Sequence, residues 1–354
     1  MKIRPFSWLV GCTCFVGSLL HAGWNEKFDV QSQWLVENIK EFQGDYQEQY
    51  GRFVDIRKQV LKDFLLQKQI QAAKQDQRMI LLRPRDGLVV KKRANNNIYE
   101  LFAWEISYLL HGSEFLVPSF PIEISNKRII IQEMEPFSFK KEKVMSELPK
   151  EVKKVSLEEY WKGHILAYLL GLADLVGQNI GVNPLGHIRF FDMESSLQYS
   201  NIPHRTTRSF KTGFVSQSLE WPQYRDSLDA KTAARMRKLV QSLSNIEEKL
   251  DKYLSCRNAS IYLSGLLSRI DKVRSFGFEE GKTFRDFYGF AFPQISEGLD
   301  QLSDIASDIL GKKVDHGSAL ILICRWVDQY PLSNKQKQAV EDWIATYIDT
   351  ISEL

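Results

Sequence analysis

Apolar residues recur at helical spacing near the start of the chain. Between residues 24 and 76, Trp34, Leu35, Ile39, Phe42, Tyr46, Tyr50, Phe53, Ile56, Val60 and Phe64 follow one another at steps of three and four, with charges between them. That pattern predicts helix with one buried stripe. Gly44 and Gly51 are the points where it is expected to break into two or three pieces. A helix of this composition draws its stability from packing, so the stripe is expected to lie on the main domain. A partner-binding helix is the other reading.

The pattern changes at residues 77–93. MILL, then Arg83-Pro84-Arg85-Asp86-Gly87, then LVVKK read as a strand, a turn and a strand. Asn95-Asn96-Asn97 reads as a turn and helix cap, and residues 98–111 as a helix that stops at Gly112. Pro118 and Pro121 mark extended chain, and RIIIQEMEPF reads as a buried strand entering a turn. Residues 138–155, rich in Lys and Glu, read as an exposed connector. A helix is expected from 156 to Leu172, then a loop, then short strands near 180–182 and 187–191. From about residue 229 the pattern is helical, as in AARMRKLVQSLSNIEEKLDKYL and QAVEDWIATYIDTISEL. The expected class is α+β, with a small sheet-containing lobe, a larger helical lobe and an N-terminal helical extension. The boundaries read 1–22 for a targeting segment, 23–76 for the extension, 77–136 for the small lobe and 137–354 for the large one.

Composition alters this picture little. The chain of 354 residues is 44% hydrophobic, enough for a large core. A net charge of +3 gives no case for nucleic acid as the main partner. The N-terminus matters more. Lys2 and Arg4 precede an uncharged run, FSWLVGCTCFVGSLL, and Ala22 could close a cleavage site. This reads as a signal peptide and implies export, to the periplasm or outside the cell. An uncleaved membrane anchor is the alternative, and Cys12 offers a weaker lipoprotein-like one. Cleavage would leave Cys256 and Cys324 as one candidate disulfide.

The candidate chemistry sits at residues 164–197, HILAYLLGLADLVGQNIGVNPLGHIRFFDMESSL. Asp174 and Asn179 follow an apolar helix, and Asp192 ends a β-like run thirteen residues after Asn179. Carboxylate and amide oxygens suit a hard cation such as Mg²⁺. In phosphoryl transfer one Asp addresses the acceptor hydroxyl, while an Asn and a second Asp hold Mg²⁺ on the nucleotide phosphates. Such a site needs a strand lysine and a helix glutamate upstream. Val89 and Lys91 fall on one face of their strand, which favours Lys91 over Lys92. Glu100 and Glu105 are the helix candidates; five residues is about 500° of turn, so they face differently, and Glu100 is preferred. Taken alone, either glutamate also reads as surface charge. Gln132-Glu133-Met134, at the end of the III strand, would meet the adenine through backbone groups.

VVKKRANNNIYELFAWEISYLLHGSEFLVPSF, DLVGQNIGV and FFDMESS together resemble the atypical branch of the kinase superfamily, which includes phosphatidylinositol 3-/4-kinases, HipA-like kinases and secretory-pathway kinases. The resemblance covers about residues 77–225. It implies a two-lobed protein-kinase-like fold using ATP and Mg²⁺. Lys91, Glu100 and Asp174 would be catalytic, Asn179 and Asp192 metal-binding, and the acceptor a protein or lipid hydroxyl. Leu175-Val176 stand where lipid kinases carry Arg-His, and Met193-Glu194 where Phe-Gly or its equivalent is usual; Glu194 offers a further oxygen ligand. No glycine-rich loop precedes Lys91. A pseudokinase that binds nucleotide or a partner, and a kinase-fold nucleotidyl transferase, are the alternatives. Gly281-Lys282-Thr283 lacks the earlier glycine of a P-loop, G-x-S-x-G is absent and the His residues are scattered.

Overall fold

The computed structural model describes residues 23–63, 65, 67–68, 79–83, 88–91, 97–124, 127–133, 155–172, 180–183, 185–191, 193, 196–197, 227–291, 293–313 and 332–352. Residues 1–22, read above as a targeting segment, most of the Lys/Glu-rich connector and Cys324 lie outside these residues. The fold is mixed α+β, mostly helical, with two small antiparallel sheets. Among the described residues, no helix is long and apolar enough to cross a membrane.

The N-terminal stripe forms α1 (Trp24–Asn38), a short turn of 3₁₀ helix (Lys40–Phe42) and α2 (Asp45–Lys62). The break falls at Gly44, whose φ of +65° suits a residue without Cβ. Gly51 lies inside α2 and breaks nothing, a correction to the sequence reading. The stripe packs on the domain. Phe53 stacks on Phe120 at 4.6 Å between ring centres, Tyr46 on Trp104 at 5.2 Å and Phe42 on Tyr253 at 5.6 Å.

The main sheet holds β1 (Met79–Arg83), β2 (Leu88–Lys91), β3 (Ser119–Ile124) and β4 (Lys127–Glu133) in the order β1-β2-β4-β3, all antiparallel. Ile129, Ile130 and Ile131 are buried, as befits an interior strand. Pro121 is tolerated because β3 is an edge strand. Asn25 of α1 covers that edge: its Nδ2 donates to Glu123 O at 3.1 Å, and Glu123 N donates to its Oδ1 at 2.9 Å.

Helix α3 (Asn97–Leu109) crosses from β2 to β3 and packs on β3 and β4. It ends at Leu109, two residues short of the expected stop. His111 takes the left-handed turn at φ +54°, and Gly112 N donates to Ser107 O at 2.8 Å. Gly112 serves space rather than torsion: with φ at −139°, a Cβ there would lie 2.8 Å from Leu166 Cδ2.

Helix α4 (Leu157–Leu169) starts at Ser156, whose Oγ accepts from Glu159 N, and ends three residues before the expected Leu172. Strands β5 (Ile180–Val182) and β6 (Ile188–Phe190) form a hairpin. Then come α5 (Ala230–Ser242), α6 (Ile246–Cys256), α7 (Leu263–Ser275), α8 (Phe284–Ala291), α9 (Pro293–Leu310) and α10 (Asn334–Ser352). The run read as one helix from 233 to 254 divides before Asn245, which sits at φ +61°.

His164 of α4 is buried between Tyr160, at 4.9 Å, and Phe284, at 4.2 Å. Burial holds its pKa well below the usual 6.5. Above pH 6.5 the ring is neutral in both folded and unfolded chains. Below that, the unfolded chain takes up a proton that the folded chain refuses. Stability is therefore expected to fall by up to about 1.4 kcal/mol per pH unit until the folded pKa is reached. Urea denaturation from about pH 7 to about pH 5 should show a shallower slope for His164→Leu than for wild type. Parallel profiles would contradict this.

Candidate functional site

The candidate site lies where α3 packs on β3 and β4, with the β5–β6 hairpin joined to the chain before β3 by the Leu116–Phe190 bridge. Glu100 and Glu105 are both buried, at 1% and 0% exposure, so neither is the surface charge that a helix glutamate suggests by default. They face different surroundings. Glu105 looks away from the sheet, into α1, α2 and α6. Glu100 looks onto the sheet, where Gln132 Nε2 donates to its Oε2. The same Nε2 lies 2.7 Å from Ser119 Oγ, and that hydroxyl donates to Val117 O at 3.1 Å.

Strand register ties this group to Lys91. Gln132 pairs with Val89 on one side and Ser119 on the other, and Lys91 pairs with Ile130. Directly paired residues share a sheet face, as do residues two apart on one strand. Val89, Lys91, Gln132 and Ser119 therefore occupy positions on one face, the face that Glu100 reaches. Lys91 stands two residues along β2 from the Gln132 row, a rise of about 7 Å. Glu133 ends β4, paired with Leu88, and its backbone is part of the sheet.

Asp174, Asn179, Asp192, Glu194 and Met134 lie outside the described residues. Their described neighbours are tied together. Ile180 pairs with Phe190, so Asn179 is one residue, and Asp192 two, from the same open end of the hairpin. Phe190 also bridges Leu116 in parallel, so the chain leaving β6 runs in the direction of Ser119. Ser196 Oγ donates to Tyr99 O at 2.9 Å, beside Glu100, and Leu197 N donates to Leu170 O at 3.0 Å. That second bond ties Leu197 to the residue that follows α4.

The end of α4 is fixed by Arg269. Its Nε donates to Leu169 O at 2.8 Å, and Gly171, at φ +60°, lets the guanidinium lie 3.3 Å from where a Cβ would stand. Burial lowers the Arg269 pKa to about 10, with Tyr168 acting in the opposite direction, so the group stays charged at neutral pH. A cation there also complements the negative end of the helix.

No family model, curated protein or solved structure matches this chain. The fold and site therefore stand on their own geometry. Among the described residues no three His, Cys, Asp or Glu side chains gather as a metal cage. Cys256 is a free thiol whose Sγ lies 3.7 Å from Gln31 O, and its candidate partner Cys324 lies outside the described residues. Sequence reasoning gave Gln132 only a backbone role beside Glu133 and Met134, missing its side-chain bonds to Glu100 and Ser119, and it missed Ser119 and Ser196 altogether. That the Gln132 side chain needs a partner was within reach, since it alternates with Ile131 on an interior strand and a half-buried amide there tends to be bonded. Ser196 carried no signal beyond its nearness to Asp192.

Proposed function

We propose that the chain is a kinase-like, two-lobed phosphotransferase that uses Mg²⁺·ATP and acts on a hydroxyl of a protein or lipid. The observation that carries this reading is the buried Glu100 carboxylate over the sheet face on which Lys91 has its position. A strand lysine held by a helix glutamate is the cation device of kinase-type phosphate binding. The second support lies in the sequence, where Asp174, Asn179 and Asp192 follow one another at the spacing such a site uses.

In this reading Lys91 meets the α- and β-phosphates and Glu100 holds the ammonium in place. Glu133 and Met134 offer backbone groups to the adenine. Asn179 and Asp192 hold Mg²⁺, which supplies charge neutralisation on the phosphates. Asp174 orients the acceptor hydroxyl and takes its proton. These residues act by position and charge, with little covalent chemistry of their own. The basic, apolar N-terminus supports export. An exported kinase would need ATP from a host cell or a nucleotide-supplied lumen.

Incubation with Mg²⁺·ATP and separation of products by mass tests the reading. ADP is expected, with the rate lost in Asp174→Asn and Asp192→Ala. AMP and pyrophosphate would move the chemistry to nucleotidyl transfer. Nucleotide binding without either product would leave a pseudokinase, a reading favoured by Leu175 and Val176 after Asp174.

A further inference from the structure

Helix α3 carries a second buried acid that the proposed chemistry does not use. Glu105 is fully enclosed and, among the described residues, accepts four hydrogen bonds. Arg257, the residue after α6, grips it with both ends of its fork: Nε donates to Oε2 at 2.8 Å and Nη2 to Oε1. Tyr46 OH of α2 donates to Oε1 at 2.6 Å, and Tyr253 OH of α6 to Oε2 at 2.8 Å. The remaining Arg257 donors reach α1, with Nη2 2.9 Å from Ser32 Oγ and Nη1 3.2 Å from Gln31 Oε1, while the guanidinium stacks 4.5 Å from the centre of the Phe28 ring. Four helices thus meet on one buried ion pair.

A fully buried ion pair is weak evidence for stability, since well-packed apolar residues of similar volume often do as well or better. What it supplies is direction. Glu105 is five residues from Glu100, about 500° of turn, so the two project about 140° apart. Fixing Glu105 from the far side sets the rotation of α3, and with it where Glu100 meets the sheet.

We infer that Glu105, Arg257 and Tyr46 are positioning residues for the Glu100–Lys91 pair, so that the N-terminal helices α1 and α2 complete the site rather than decorate it. This rests on the phosphotransferase reading for its kinetic consequence, but not for its structural one. The aromatic contacts of Tyr46, Phe42 and Phe53 hold the same helices in place and would persist if the charges were removed.

The full chain carries the test in two variants, the double variant Glu105→Leu/Arg257→Met and the milder Tyr46→Phe. Thermal unfolding, ATP turnover and amide hydrogen exchange across residues 97–109 are measured for each. The double variant is expected to unfold no more than a few degrees below wild type, yet to lose at least about tenfold in kcat, with KM for ATP within about threefold. Exchange across 97–109 should quicken by about tenfold. A merely structural role would move the unfolding temperature and leave kcat unchanged well below it. If the double variant does not fold, Tyr46→Phe decides, with kcat expected to fall by about threefold. A folded variant with wild-type kcat and wild-type exchange overturns the inference. If wild type neither binds nor turns over ATP, the phosphotransferase reading fails separately, and unchanged exchange in the double variant still overturns the positioning role.

Discussion

Arg257→Met is expected to destabilise the protein by about 3–5 kcal/mol, because it strands a buried carboxylate without its cation. Arg257 gives Glu105 two of its four hydrogen bonds and, among the described residues, the one counter-charge in the buried cluster of Tyr46, Tyr253 and Ser32. Methionine preserves much of the volume and removes both. The Glu105 carboxylate would then sit at 0% exposure with two tyrosine hydroxyls and no cation. Burial works against the Arg257 charge, but the Glu105 carboxylate and the neighbouring tyrosines outweigh it and raise the guanidinium pKa, so Arg257 stays charged at any ordinary pH. For a chain of this size the loss corresponds to roughly 5–10 °C in the unfolding temperature. Urea denaturation checks it, and a loss under about 1 kcal/mol would show that the carboxylate finds other compensation. Adding Glu105→Leu should restore most of the lost stability, because the uncompensated charge goes with it.

Glu100→Gln should behave in the opposite manner, with large damage to rate and little to stability. The amide keeps the shape of the side chain, and its Oε1 can still accept from Gln132 Nε2. The negative charge proposed to hold Lys91 is gone. ATP turnover is expected to fall by about a hundredfold, the usual consequence of misplacing a reacting group by about 1 Å. Steady-state kinetics at saturating Mg²⁺·ATP checks this. A rate within twofold of wild type would remove Glu100 from the site.

The contrast between Glu100 and Glu105 also shows how far the sequence can be read. Alternation and turn chemistry suffice for the strands at 79–83 and 88–91, the helix carrying both glutamates and the hairpin at 180–190. Each has a short-range signal, such as Gly87 between two apolar runs or the polar break at Asn183. Helix ends are less legible. The stop of α3 depends on His111 adopting a left-handed turn, and the glycine after it answers to Leu166, a residue more than fifty positions away. Gly51 misleads because helix α2 is held by packing of Tyr46, Phe53 and Val60 strongly enough to carry a glycine on its exposed side. Helical geometry separates the two glutamates, but only long-range contacts say what each one faces. Arg257 is 152 residues from Glu105, and no local pattern announces the pair. Ser119, and the partners of Gln132, likewise become legible only once the register of β3 on β4 is known.

The central claim is that the face of the sheet bearing Lys91, together with Asp192, forms a Mg²⁺·ATP site. Its most direct test is thermal unfolding of wild type and Asp192→Ala with and without millimolar Mg²⁺·ATP. Wild type should gain about 2.7 kcal/mol of stability at a ligand concentration about a hundredfold above Kd, seen as a rise of several degrees, and Asp192→Ala should gain little or nothing. No rise in wild type, or an equal rise in both proteins, would contradict the account.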